Sequence, residues 1–125
     1  MNATEPHAPV VLMVDDDQEL LEEYQELLEC DGVDALICND PLRAIEMVCE
    51  NRSIEVVLTD LFMDGMDGLT MINRMQETLT DRSLHFALIT GASEVQPDLP
   101  GSNVCILYKP VDPDQLISTI TGFLG

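Results

Sequence analysis

The sequence predicts an α/β domain built on a doubly wound, five-stranded parallel sheet. Three observations carry that expectation. Short apolar runs alternate along the chain with stretches of 3.6-residue apolar periodicity. The runs are continuously apolar, as strands covered by helices on both faces are. Four of them end in polar residues, at Asp15 and Asp16, at Asp60, at Thr90 and at Lys109. In an open parallel sheet such strand ends share one edge, where ligands bind.

Residues 1–9 lack the basic and apolar regions of a signal peptide and read as a flexible N-terminal tail before a single domain at 10–125. The run VVLMV at 10–14 is the first strand and leads into three aspartates. Over 18–30, Leu20, Leu21, Tyr24, Leu27 and Leu28 repeat as one helix face. Asp17 is placed to cap that helix, and Gly32 to end it with a positive φ. Residues 33–38 form a weaker strand, interrupted by Asp34 as suits a sheet edge. Asp40-Pro41 is a cap followed by proline at the first helical position. Leu42, Ile45, Val48 and Cys49 are the expected buried face.

Residues 54–60 then deliver Asp60 into a loop with two glycines, Gly65 and Gly68. Asp67 caps the next helix, whose inward residues are Leu69, Ile72, Met75 and Leu79. Residues 86–89 make a fourth strand ending at Thr90 and Gly91. At 93–103, Pro97, Pro100 and Gly101 fall where another helix is due. Proline in a helix interior costs about 3 kcal/mol, so the fourth helix is short or absent. Residues 104–108 form the fifth strand. After Asp112-Pro113, Leu116, Ile117, Ile120 and Phe123 form the last stripe.

The chain has 125 residues, 24 acidic against five basic, and a net charge of −19. Such a charge argues against direct nucleic-acid binding and against anionic membranes. Solubility and a basic partner surface are its two explanations. The four cysteines, Cys30, Cys38, Cys49 and Cys105, show no C-x-x-C or zinc-finger spacing. Three lie in apolar patterns and read as small buried hydrophobes in a reducing cytosol. Lys109 is the single lysine.

Clustered carboxylates repel, by about 4 kcal/mol for a pair 4 Å apart at an effective dielectric near 20. A bound cation relieves that repulsion, and oxygen-only ligands with an open side suit Mg²⁺. An Asp carboxylate can act as a nucleophile toward phosphorus. An ammonium such as Lys109 can stabilise the transferred charge. Thr90 offers a hydroxyl to a phosphoryl oxygen, and Gly91 leaves room for the group. Taken singly, these residues are a helix cap and a salt bridge; their shared edge is what marks a site.

The stretches VLMVDDD, LTDLFMDGMDGL, ALITGA and LYKP together resemble the receiver domain of two-component response regulators, of the chemotaxis-regulator type. The resemblance runs from about Val10 to the C-terminus. It implies a flavodoxin-like strand order 2-1-3-4-5, with Asp60 as phosphoacceptor and a phosphohistidine donor on a sensor histidine kinase or histidine phosphotransfer protein. It implies that Mg²⁺ is held by Asp15, Asp16, Asp60 and the backbone carbonyl of Phe62. It assigns Thr90 as the switch hydroxyl, Lys109 as the phosphate-pairing lysine, and Gly91 and Ala92 to the phosphate pocket. The lysine's following proline, here Pro110, is often cis in the family. Such a module catalyses only its own phosphorylation and dephosphorylation. It signals to a downstream protein from the cytoplasm, free-standing or within a larger regulator or hybrid kinase.

The chain departs from the family's pattern at four places. Asp64 stands where proline is usual. Ile106 takes the place of the switch aromatic, and Tyr108 sits beside Lys109 instead. The fourth helix is degraded. Phe62 and Ala92, at positions that tune dephosphorylation, cannot hydrogen-bond an attacking water, which implies a long-lived aspartyl-phosphate. The alternative is a phosphorylation-independent pseudo-receiver that serves as a protein-binding module. An Asp-nucleophile phosphatase is disfavoured, because Phe62 occupies the place of its second catalytic Asp.

Overall fold

A computed structural model of the chain describes residues 8–91 and 101–124. Its elements run β1 (Val11–Val14), α1 (Gln18–Cys30), β2 (Ala35–Cys38), α2 (Pro41–Glu50), β3 (Val56–Asp60), α3 (Gly68–Thr78), β4 (His85–Thr90), β5 (Val104–Tyr108) and α4 (Pro113–Leu124). The five strands are all parallel, in the order β2-β1-β3-β4-β5. The reversal of strand order lies between β1 and β3, where an open sheet forms its crevice. Among the described residues no helix connects β4 to β5, and 101–103 form a turn. The rest of the expected loop at 93–103 lies outside the described residues, as does most of the expected tail. Pro9 is held by Ser53, whose hydroxyl donates to its carbonyl at 2.6 Å.

Two apolar layers sandwich the sheet. Leu12, Val57, Phe86 and Leu88 meet Ala44 and Val48 of α2 and Met71, Ile72 and Met75 of α3. Val11, Met13, Leu58 and Ala87 meet Leu21 and Leu28 of α1 and Leu116 and Ile120 of α4. The alternation follows from strand geometry, in which successive side chains point to opposite faces. Phe86 is the one aromatic among the largest fully buried side chains, so the core is aliphatic with Met filling gaps.

The predicted caps form. The carboxylates of Asp17, Asp40 and Asp67 accept from the N–H groups of Leu20, Leu42 and Thr70. Gly32 takes φ +81° at the end of α1. The Lys109-Pro110 bond is cis.

Two expectations fail. In α2 the buried stripe is Pro41, Ala44 and Val48, while Leu42 is 58% exposed and Cys49 lies on the surface. The small Ala44 sets the line of closest approach, and that line places Leu42 and Cys49 on the flanks. Of the cysteines only Cys38 is buried, Cys105 is half-buried, and Cys30 and Cys49 are exposed. Both exposed thiols sit within the last two residues of their helices, just past the buried Leu28 and Val48.

Candidate functional site

The strand ladders continue one step past β1 and β5. The Asp15 N–H donates to the Cys38 carbonyl at 3.2 Å, and the Lys109 N–H to the Thr90 carbonyl at 2.9 Å. Strand alternation therefore carries to the edge. Asp15 follows Val11 and Met13, Asp60 follows Val56 and Leu58, and Lys109 follows Cys105 and Leu107, all of them facing the α1/α4 layer. Two acids and the ammonium thus emerge on one side of the sheet.

There they meet. Lys109 Nζ lies 3.5 Å from Asp60 Oδ1 and 3.8 Å from Asp15 Oδ2. Ligand oxygens of Asp15, Asp16 and Asp60 all lie within 4.8 Å of one another. The Asp15 and Asp60 side chains are largely buried, that of Lys109 one-third exposed. Three hard oxygen donors at this spacing, open to solvent at Asp16, fit a small divalent cation such as Mg²⁺. Burial pushes the Asp60 carboxyl above its ordinary value; Lys109 pulls it down and Asp16 adds to the rise. Burial likewise raises Asp15, opposed by the Asp17 N–H, which donates to Asp15 Oδ1 at 3.0 Å. One lysine thus does not offset burial and three clustered acids.

Thr90 points its turn of the alternation the other way, with Phe86 and Leu88, and is fully buried. Its Cα partner on β5 is Tyr108, which is 37% exposed, whereas Ile106 packs against the α2/α3 layer. Among the described residues, the nearest atom to a Cβ added at Gly91 is Lys109 Cβ, at 4.0 Å. Phe62 extends from the loop after β3, 59% exposed. Ala92 lies outside the described residues.

Three features escaped the sequence. Gly68 is the first residue of α3 and packs on the Asp60 carbonyl, where no Cβ fits. The Asp64 N–H, absent from the proline usual there, donates to Asp16 Oδ2 at 3.4 Å. Tyr24 reads as a core residue from its spacing, yet its hydroxyl is pushed up by burial and then by the charges of Asp15 and Asp60. Its position in the apolar stripe hid its proximity to the acids.

The sequence profile of the response regulator receiver domain matches residues 11–121. The chain is 31% identical over 121 residues to the transcriptional regulatory protein CpxR of Escherichia coli (strain K12), covering 91% of this chain and 48% of that protein. It is 29% identical over 117 residues to the response regulator MprA of Mycobacterium leprae (strain TN), covering 91% and 50%. The chain thus spans about half the length of these curated relatives. Among solved structures, a CheY-like response regulator receiver domain from Methylobacillus flagellatus superposes with a TM-score of 0.82 at 21% identity, covering 94% of this chain and 99% of that one. The receiver domain of the hybrid histidine kinase CckA gives 0.78 at 24%, covering 92% and 98%. These two likenesses concern the fold.

Proposed function

The chain belongs to the response regulator receiver domain family, and from that premise we propose that Asp60 accepts a phosphoryl group from a phosphohistidine. The observation that supports this reading most directly is the approach of Lys109 Nζ to both Asp60 and Asp15 beside a third carboxylate.

A carboxylate oxygen of Asp60 attacks phosphorus in line with the leaving imidazole of a sensor kinase or phosphotransfer protein. A P–O bond forms, the P–N bond breaks, and the imidazole departs with the proton it carries. Lys109 pairs with the phosphoryl oxygens as its contact with Asp60 gives way. Thr90 donates its hydroxyl to the same group, and Gly91 leaves room for it. Asp15, Asp16, Asp60 and the Phe62 carbonyl would hold Mg²⁺, which when bound neutralises charge shared between the acids and the phosphoryl group. Rearrangement at Thr90, Ile106 and Tyr108 then alters the surface read by a downstream protein, with the domain at 10–125 acting in the cytoplasm.

Incubation with Mg²⁺ and acetyl phosphate followed by intact mass measurement tests the proposal. A phosphoryl-mass adduct that disappears in Asp60→Asn supports it. Ile106, an aliphatic residue packed in the α2/α3 layer, favours a second reading, a binding module that works without phosphorylation. Absence of any adduct under these conditions selects that reading.

A further inference from the structure

We propose that the hollow at the foot of β4, at the opposite end of the sheet from Asp60, binds a small organic carboxylate carried on an apolar ring. The inference does not rest on the phosphoacceptor reading. The hollow holds about 480 Å³, within the range of small-molecule sites. Its wall runs from Gln76 near the end of α3, through the turn at 79–84, to His85 and Phe86 of β4, and is completed by Asn103. Asp60 pairs with Ile89 on β4. His85 lies about 13 Å further down that strand, at about 3.3 Å per residue. Two independent observations point to an occupant. Among the described residues, two buried side-chain polar atoms lack a hydrogen-bond partner, Gln76 Nε2 and His85 Nδ1. Both belong to residues of this one wall. Buried polar atoms are rarely left unpaired, because doing so is destabilising, so two in one place mark where a bound group supplies the partner. The other amide on the wall is satisfied, since Asn103 Nδ2 donates to the Leu84 carbonyl at 2.8 Å.

The second observation is charge. The chain carries 24 acidic residues against five basic ones. The hollows along α1, and the one between α2 and α3, each hold glutamate. No acidic side chain lines the hollow under β4, and Arg82 does. Its guanidinium donates to the carbonyls of Val48, Asn51 and Ile54, which holds it in place. Arg43 and Arg52 pair with carboxylates, and Arg82 makes no ion pair among the described residues. Asp81, its neighbour in sequence, pairs with Arg52. A fixed positive charge thus stands beside the hollow with no carboxylate of the chain against it. The Gln76 amide and the exposed hydroxyls of Thr80 and Ser83 add neutral donors. Leu79, Leu84 and Phe86, all buried, give the wall its apolar part. Charge-assisted donors beside an apolar surface complement a carboxylate on a ring. A cation would meet the arginine, and a sugar would leave the apolar part unmatched.

Titration of the full chain, followed in proton–nitrogen NMR spectra, tests the proposal. The probes are benzoate, 2-naphthoate and indole-3-acetate, each beside its neutral amide, with acetate as the carboxylate lacking a ring. At least one ring carboxylate is expected to shift the Gln76 side-chain amide and the backbone signals of 79–86 saturably. Its dissociation constant should be near or below about 1 mM, ordinary for a ligand of that size. The matching amide and acetate should bind at least about tenfold more weakly. Ser83→Glu, an exposed change that sets an acid on the wall, should weaken binding about tenfold, and Ser83→Lys should tighten it. Gln76→Met keeps the length of the side chain and removes an unpaired donor. It should melt no lower than the parent and bind the ring carboxylate about tenfold more weakly. Absence of a saturable shift with all three ring carboxylates would mean that water alone fills the hollow, and overturns the proposal. So does equal affinity for carboxylate and amide, a set of shifted signals lying away from this wall, or indifference to both Ser83→Glu and Gln76→Met.

Discussion

Gly68 packs so closely on the carbonyl oxygen of Asp60 that no Cβ fits between them; an added one would also come to 3.0 Å from Thr59 Oγ1 and 3.1 Å from Leu88 Cδ1. Neither side can retreat. The Gly68 N–H donates to the Leu61 carbonyl at 2.8 Å, and the Leu61 N–H to the Ile89 carbonyl at 2.9 Å. The N-terminus of α3 thus fixes the height of the acid at the sheet edge. Gly68→Ala is expected to cost about 2–3 kcal/mol in urea unfolding, the range for forced backbone shifts. It is also expected to lower the phosphoryl adduct yield in the molecules that remain folded. A fully stable variant with normal labelling would show that the contact is easily relieved.

The acids make the metal-free protein pH-sensitive. Asp15 and Asp60 both have folded pKa values raised above the ordinary 3.8, so the folded state binds protons more tightly than the unfolded state. Stability therefore falls as pH rises from that ordinary value through the raised ones, and the penalty is fully present above them. Asp60→Asn removes the Asp60 share of it and relieves the repulsion that Asp15 feels from that charge. Without divalent cation at neutral pH, that variant is expected to melt about 3–6 °C above the parent, the shift for roughly 1 kcal/mol in a domain of this size. The gap should close near pH 4. Added Mg²⁺ should raise the melting temperature of the parent more than that of the variant. Lys109→Met, which leaves both acids without their cation, should steepen the parent's pH dependence. A parent that melts identically at pH 4.5 and 7.5 would contradict this account.

Arg82 holds the far edge of the molecule. Its guanidinium donates to the carbonyls of Val48 at 2.5 Å, Asn51 at 3.2 Å and Ile54 at 2.8 Å. Those groups end α2 and lead into β3, where helix carbonyls lack intrahelical partners. Arg82→Ala is expected to destabilise by about 2–4 kcal/mol, since charge-assisted bonds contribute about 1.5–3 kcal/mol each and water replaces part of the loss. Lysine cannot reproduce a planar fork, so Arg82→Lys should recover less than half. Chemical denaturation reads both, and acetyl phosphate labelling of the folded fraction should be unaltered.

The strand ends were legible because each is a continuous apolar run cut off by a polar residue, and the helix starts because Asp17, Asp40 and Asp67 stand where caps belong. Those are local signals. What escaped depends on contacts between elements. The phase of α2 turns on how closely Ala44 lets the helix approach, so Leu42 was misjudged. Gly68 followed an Asp like any turn glycine, and only the fold brings the Asp60 carbonyl against it. The Asp64 N–H is a main-chain donor, and its bond to Asp16 spans 48 residues.

Helix phase also predicts thiol chemistry. Burial pushes the Cys38 and Cys105 thiols up, and Cys38 Sγ donates to the Asp40 carbonyl at 3.2 Å. A raised thiol pKa lowers the thiolate fraction that reacts. Brief maleimide treatment at pH 7.5 is expected to add two labels, on Cys30 and Cys49, with four added after denaturation. Peptide mapping that finds Cys38 labelled first would overturn the assignment.

Phe62 bears on how long a phosphoryl group stays on Asp60. It follows the acid by two residues and is more than half exposed. An aromatic ring offers no donor or acceptor strong enough to orient an attacking water, whereas an amide offers both. On the phosphoacceptor reading proposed above, hydrolysis of the acyl phosphate in the parent is therefore expected to depend on unassisted water. Phe62→Asn is expected to speed loss of the adduct by about tenfold, less than the roughly 10²–10⁴-fold of a positioned general acid or base, because an amide orients water without taking its proton. Phe62→Leu, which changes size but not hydrogen bonding, should decay within about twofold of the parent. Intact mass spectra taken over time after removal of acetyl phosphate give both rates. Parent decay within seconds, or Asn and Leu variants that decay alike, would place control of the lifetime elsewhere than at Phe62.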